Sequence, residues 1–180
     1  MLKKVNNNKG FTLIELLAVI VILGVLMIIA VPMVTKYIKQ AKQDAFVDTA
    51  KSYINSARYG YLNGDYTNPE QSSGGKCVTL DSGNGGTIYI KFRYIEVDKT
   101  GGKSSFNKTI NQDKSYVKIE STANGQYTYS VYMLDGGDNV IKLTKESDLA
   151  RTSVTTETDS SSSGFSPTEA CKHDTYDATS

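Results

Sequence analysis

The sequence predicts an α+β protein: one long N-terminal helix, apolar in its first half and amphipathic in its second, packed on a roughly four-stranded antiparallel β-sheet. Three observations predict it. Leu16 to Val34 is a run of 19 residues without a charge or a strongly polar side chain. Thr35 to Leu62 has no proline and a single glycine, Gly60. Beyond residue 86, short segments alternate apolar and polar side chains and are divided by Asn-Gly and Gly-Gly pairs, which is the signature of strands and tight turns.

The whole-chain averages hide this division. The 180 residues are 39% hydrophobic and 22% charged, with a formal net charge of +1 and a mean hydropathy of −0.33. Those figures exclude a polybasic nucleic-acid binder, an acidic disordered chain and a polytopic membrane protein. Yet 23 of the first 34 residues are apolar, so the remainder is polar for a globular domain.

The apolar run is long enough to span a hydrocarbon core at about 1.5 Å per residue. Lys3, Lys4 and Lys9 precede it, and no acidic residue appears before Glu15. That asymmetry sets the N-terminus on the cytoplasmic side and the bulk of the chain outside. A cleaved secretory signal fits poorly, because the run is too long and Val31-Pro32-Met33-Val34 offers no small-residue cleavage site. Glu15 stands out, since a carboxylate at the head of a spanning helix costs a few kcal/mol, on the order of insertion scales, and marks a role with a partner.

Lys9-Gly10-Phe11-Thr12-Leu13-Ile14-Glu15, leading straight into the apolar run, resembles the prepilin processing site of type IV pilins. Gly10 to Pro32, with Gly24 and Pro32 at their places, is similar to the pilin N-terminal helix almost position for position. The resemblance covers residues 1–60, and it implies the following. Prepilin peptidase cuts between Gly10 and Phe11 and methylates the new Phe11 amine. Residues 1–10 are a leader, 11–34 a transmembrane and polymerisation helix, 35–62 the amphipathic half of that helix, and 63–180 a globular domain. Glu15 faces the Phe11 amine of a neighbouring subunit, and Gly24 and Pro32 give the helix flexibility inside a fibre. Methylation keeps the amine positive, and a paired carboxylate is far less unfavourable in an apolar surrounding than an orphaned one. Removing three lysines leaves 17 basic residues against 19 acidic ones. A mature charge of about −2 argues against direct nucleic-acid binding, which needs clustered Lys and Arg.

The amphipathic half shows two faces. Val34, Ile38, Ala41 and Ala45 share one; Phe46, Ala50, Tyr53, Ile54, Ala57 and Tyr61 share another, rotated by roughly 140° at about 100° per residue. A sticky face that changes sides has two partners: a fibre core for the first set and the subunit's own sheet for the second. Gly24 weakens the helix locally, and Pro32 lacks the amide hydrogen that position 28 needs, so loosening is expected between them.

Gly60 and Asn63-Gly64 end the helix by C-cap chemistry. Residues 65–86 form an αβ-loop rich in Ser, Gly and Asn. Strands are expected over Thr87–Ile95, Tyr116–Thr122, Gln126–Leu134 and Asn139–Thr144, the middle two joined by a type I′ turn at Asn124-Gly125. Residues 98–114 form a polar connection. Twelve tyrosines and no tryptophan suit wet sheet faces and subunit contacts. The C-terminal segment 152–180 is Ser/Thr-rich, and 152–166 is too polar to bury.

Cys77 and Cys171 lie in the outward, oxidising part of the topology. They either stay as thiols or form a disulfide across 93 intervening residues, worth about 4.7 kcal/mol on loop-closure grounds. Pilins of both kinds are known, so the resemblance leaves the pairing open.

Enzymatic signals are thin. The single histidine, His173, sits beside Cys171 without a second ligand pair. Asp135-Gly136-Gly137-Asp138-Asn139 lacks the spacing and terminal Glu of a calcium loop, and no Gly-rich phosphate motif occurs. Asn107-Lys108-Thr109 matches a glycosylation acceptor by pattern alone. The chain reads as a non-enzyme without cofactor or metal.

The resemblance therefore implies a structural subunit of a type IV pilus, a homopolymer serving adhesion, aggregation and biofilm, or twitching motility. Its partners are prepilin peptidase, a pilus assembly platform and ATPase, and the membrane. It would be a single-pass protein of the cytoplasmic membrane before assembly and extracellular pilus after it. The alternatives are a pseudopilin of a type II-like secretion or competence system and, more distantly, a membrane-anchored binding or sensory ectodomain.

Overall fold

The computed structural model describes residues 10–67, 86–97, 102–122, 125–156 and 172–173. The leader residues 1–9, most of the αβ-loop, both cysteines, Asn124 and most of the Ser/Thr-rich segment lie outside the described residues. The chain divides into two compact units, Met1–Gln40 and Ala41–Ser180.

The first element is α1, a helix of 51 residues from Leu13 to Asn63. Its assignment is uninterrupted through Gly24 and Pro32. A Schellman motif ends it. Gly64 takes φ 78, the Asp65 N–H donates to the Gly60 carbonyl at 2.9 Å, and the Gly64 N–H donates to Tyr61 at 3.1 Å. Only a residue without Cβ adopts that left-handed angle cheaply.

In the second unit α1 buries Phe46, Val47, Ala50, Tyr53, Ile54, Ala57 and Gly60. This is the second of the two expected faces, widened by Val47 and Gly60. It packs on a five-stranded antiparallel sheet in the order β2-β3-β4-β5-β6. The strands are β2 (Gly86–Lys91), β3 (Tyr116–Ser121), β4 (Tyr127–Leu134), β5 (Asn139–Lys145) and β6 (Val154–Thr156). A separate two-stranded pair joins β1 (Tyr66–Thr67) to β7 (Lys172–His173). Small residues at 50, 57 and 60 let the sheet approach the helix closely. Tyr53 stacks on Phe92 with ring centroids 3.7 Å apart, and Phe46 meets Phe106 edge-on.

Four expectations need correction. The sheet has a fifth strand, because Val154, 7% exposed, pairs with Ile141 at the edge of β5. Val154 alone is buried, and Thr155 and Thr156 beside it stay exposed, so one valine was enough to add an edge strand to a segment that reads as too polar to bury. The strand expected over Thr87–Ile95 stops at Lys91, and Phe92–Tyr94 forms a 3-10 turn. The Phe92 N–H donates to the Ser115 carbonyl, so Phe92 and Ile95 turn inward together in place of the alternation Phe92 and Tyr94.

The third correction concerns the β3–β4 hairpin. Ser121 pairs with Tyr127, which leaves an odd number of loop residues and rules out a two-residue type I′ turn. The Gly125 N–H donates to the Thr122 carbonyl at 2.9 Å, and Gly125 holds φ 72. Residues 123 and 124 lie outside the described residues.

The fourth concerns the tyrosines. Tyr116 and Tyr132 stack face to face and are buried. With Leu134, Val140 and the partly buried Tyr89 they form a second cluster on the sheet face opposite α1. Burial raises the pKa of the Tyr116 phenol. The C-terminal half of β4 is thus buried on both faces, while Lys118 and Glu120 on the same face of β3 pair at 2.6 Å and stay partly exposed.

Polar groups pin the rest. The Asp135 carboxylate, 3% exposed, accepts from the Ser104 hydroxyl at 2.6 Å, the Gly137 N–H at 2.9 Å and the Asn139 N–H at 3.0 Å. It closes the β4–β5 turn and ties down the connection at 102–111. Arg58 stands 4.4 Å from the Tyr129 ring centroid and pairs with Glu146. Arg151 grips Asp44 through two hydrogen bonds of 2.8 and 2.5 Å.

Two outcomes follow from this packing. A Cβ on Gly60 would meet the Tyr66 hydroxyl at 2.7 Å and its ring carbons at 2.8 and 2.9 Å, and Tyr66 is 2% exposed. Alanine gains about 1 kcal/mol of helix propensity, but overpacking against an immobile ring costs about 1–3 kcal/mol. Gly60→Ala should therefore lower stability by about 1 kcal/mol in urea unfolding of the detergent-solubilised chain; a raised midpoint would show that the ring yields. Arg151 holds the Asp44 carboxyl below its ordinary value. A depressed carboxylate stabilises above its unfolded pKa and loses that contribution as the pH falls through the folded one. Wild-type protein should thus lose more stability between about pH 4 and pH 2 than Arg151→Gln, and identical acid profiles would disprove the coupling.

Candidate processing and assembly site

Thr12 and Glu15 close the N-terminus of α1 as a capping box. The Glu15 N–H donates to the Thr12 hydroxyl oxygen at 3.4 Å, and the Thr12 N–H donates to Glu15 Oε2 at 2.8 Å. The Thr12 hydroxyl itself donates to the same Oε2 at 2.8 Å. The first intrahelical bond runs from the Leu16 N–H to the Thr12 carbonyl. The signature Thr-x-x-Glu is legible in the sequence, yet Thr12 went unread there as a cap. The box fixes the Glu15 carboxylate one turn from the exposed backbone of Gly10 and Phe11.

Gly10 and Phe11 lie before the first helical residue. A Cβ on Gly10 would meet nothing within 4 Å, and Phe11 is 90% exposed. A peptide bond that is non-helical, open and followed by a large apolar side chain is accessible to a processing enzyme.

Beyond the box, α1 is long and apolar enough to cross a membrane. Every large apolar side chain from Leu13 to Ile38 is close to half exposed or more, Leu23 being the most covered at 48%. Gly24 has open space around it. At Pro32 the Ile28 carbonyl has no amide donor one turn on, since proline lacks the hydrogen. The Thr35 hydroxyl donates to the Pro32 carbonyl at 3.0 Å, which satisfies a second acceptor beside that missing bond. On the first amphipathic face Val34 is 53% and Ile38 51% exposed, and Ala41 and Ala45 are exposed as well. Among the described residues, no group of histidine, cysteine, aspartate and glutamate is arranged to hold a metal ion. The residues expected to serve processing and assembly, Gly10, Phe11 and Glu15, thus lie at one helix end, while Cys77 and Cys171 fall outside the described residues.

Residues 5–31 match a family model described as the prokaryotic N-terminal methylation motif, the hallmark of type IV pilin and prepilin-like proteins. The α+β arrangement, a long N-terminal helix with a five-stranded antiparallel sheet, matches the pilin fold. The motif supports a type IV pilin-like or pseudopilin reading and implies processing by prepilin peptidase, and the apolar helix fits membrane anchoring of such a precursor. No curated protein and no solved structure matches the chain.

The capping box has a measurable weight. Thr12→Val keeps the shape and removes the hydroxyl, at an expected cost of about 1 kcal/mol at the helix start. Amide exchange at Glu15 and Leu16 of the detergent-solubilised protein should speed up by about five-fold; unchanged protection would show that the cap is dispensable.

Proposed function

We propose that this chain is the structural subunit of a type IV pilus, stored in the cytoplasmic membrane by the first half of α1 and polymerised outside through that same half. The observation that carries the reading is the coincidence of the methylation motif at residues 5–31 with an apolar helix segment, Leu13 to Ile38, whose large apolar side chains are each 48% or more exposed.

Cleavage between Gly10 and Phe11 removes the basic leader, and methylation leaves a cationic amine at Phe11. Glu15 then meets the Phe11 amine of the adjacent subunit. Moving an apolar helix from lipid to a fibre core exchanges one apolar surrounding for another, so the hydrophobic effect contributes little to that step. Close packing of the helices supplies cohesion. The carboxylate differs, because an uncompensated charge in lipid is costly and a paired one much less so. The pair therefore sets the register at which a subunit leaves the bilayer. Gly24 and the hydrogen bond missing at Pro32 give the assembled helix places to loosen under load. The Walker and dinucleotide motifs are absent from the sequence, so a separate ATPase with its assembly platform supplies the work.

The pseudopilin reading shares every one of these residues and differs in the length and lifetime of the polymer. Electron microscopy of cells with and without the gene separates the two: long surface fibres support the pilus, and loss of secretion without fibres supports the pseudopilus. Mass spectrometry of the fibre subunit should find it beginning at methylated Phe11; an intact leader would overturn the reading. Glu15→Ala should leave membrane-anchored subunit at normal levels and cut filament yield at least ten-fold. Normal filament yield from that variant would remove the register role of the pair.

A further inference from the structure

Beside the C-terminal turn of α1 lies a cleft of about 200 Å³, lined by Ser56, Tyr59, Asn63, Asp65 and Glu96 around Gly60 and the Tyr66 ring. Its charge has one sign. Asp65 and Glu96 supply carboxylates, and the lining contains no cation among the described residues. The last turn of α1 has no basic residue, although the negative end of a helix dipole favours one. Burial first, and then Asp65 and Glu96, raise the pKa of the Tyr66 phenol between them. At the rim, Tyr59 is 67% and Leu62 63% exposed. Large apolar side chains left uncovered beside two carboxylates suit a partner that brings a cation together with an apolar surface.

The chain itself carries such a surface. Lys36, Lys39 and Lys42 recur every three residues and are exposed, and Ile38, which adjoins Lys39 and shares a helix face with Lys42 at i, i+4, is 51% exposed. We propose that the cleft receives the Lys36–Lys39 turn of a second copy of this chain. The Lys39 ammonium sits between Asp65 and Glu96, and Ile38 on the adjoining face covers Tyr59 and Leu62. The proposal rests on the filament reading, since it needs copies held side by side. A lone exposed ion pair is worth little, but the apolar cover around it desolvates the pair, and a fibre repeats it at every subunit.

The test is photo-cross-linking in filaments of the full-length chain with a benzophenone side chain in place of Tyr59. Peptide mapping should place the cross-link on the Lys36–Lys39 turn of another copy. Glu96→Lys and Lys39→Glu should each lower the cross-linked dimer by at least five-fold, and the two together should restore it. Cross-links confined to one chain, cross-links to another surface of the second copy, or full dimer yield from both single variants would each overturn the proposal. Failure of the unsubstituted chain to form filaments would bring down the filament reading, and electron microscopy of the same samples reads that outcome separately.

Discussion

An uncovered apolar helix is the constraint from which the rest follows. From Leu13 to Ile38 the chain presents side chains that water rejects, and no other part of the described structure covers them. At about 1.5–3 kcal/mol for each large side chain left in water, such a segment has to reside in lipid or among copies of itself. The capping box, the open Gly10–Phe11 bond and the carboxylate at position 15 are all placed at its head. In the proposed pilus reading they decide how the segment is released and at what register it is used again.

The helix serves two surroundings because its composition changes along its length. Up to Ala45 the apolar face is exposed; from Phe46 it turns to the sheet, and the side chains shrink to Ala50, Ala57 and Gly60 where the backbones come close. Aromatic rings fill the space left between, with Tyr53 on Phe92 and Phe106 on Phe46. Charged contacts then fasten the helix to the end of the sheet, Arg58 to Glu146 and Asp44 to Arg151. The tyrosines around Tyr116 and Tyr132 build a second apolar layer behind part of the sheet.

Much of this was legible in the residues. A 19-residue uncharged run and a change of helical face are strong periodic signals, and three of the strands keep their expected centres. What escaped was decided by single contacts. The edge strand at Val154 depends on one valine meeting Ile141. The turn at Phe92 depends on a carbonyl contributed by Ser115, far along the sequence. The hairpin register depends on whether the loop count is odd or even, which Asn-Gly alone does not determine. At the site, Gly10, Phe11 and Glu15 were marked by a specific motif. Thr12 was not part of that motif, although Thr-x-x-Glu ahead of an apolar run is itself a capping signature. The acidic cleft has no motif, since Asp65 and Glu96 are brought together by the fold.

The strand order of the main sheet carries a consequence for how the molecule comes into being. Every neighbour in β2-β3-β4-β5-β6 is also the next strand in the chain, so the sheet can zip together from hairpins, with little loop entropy lost at any step. If the helix is anchored in lipid as proposed, the domain folds from a tethered end. The pairing of Tyr66 with His173 is the opposite case: it closes a loop of more than a hundred residues. By the same entropy argument it is the last piece to form and the first to open, so the strand beside Gly60 acts as the late seal on a sheet that is already complete.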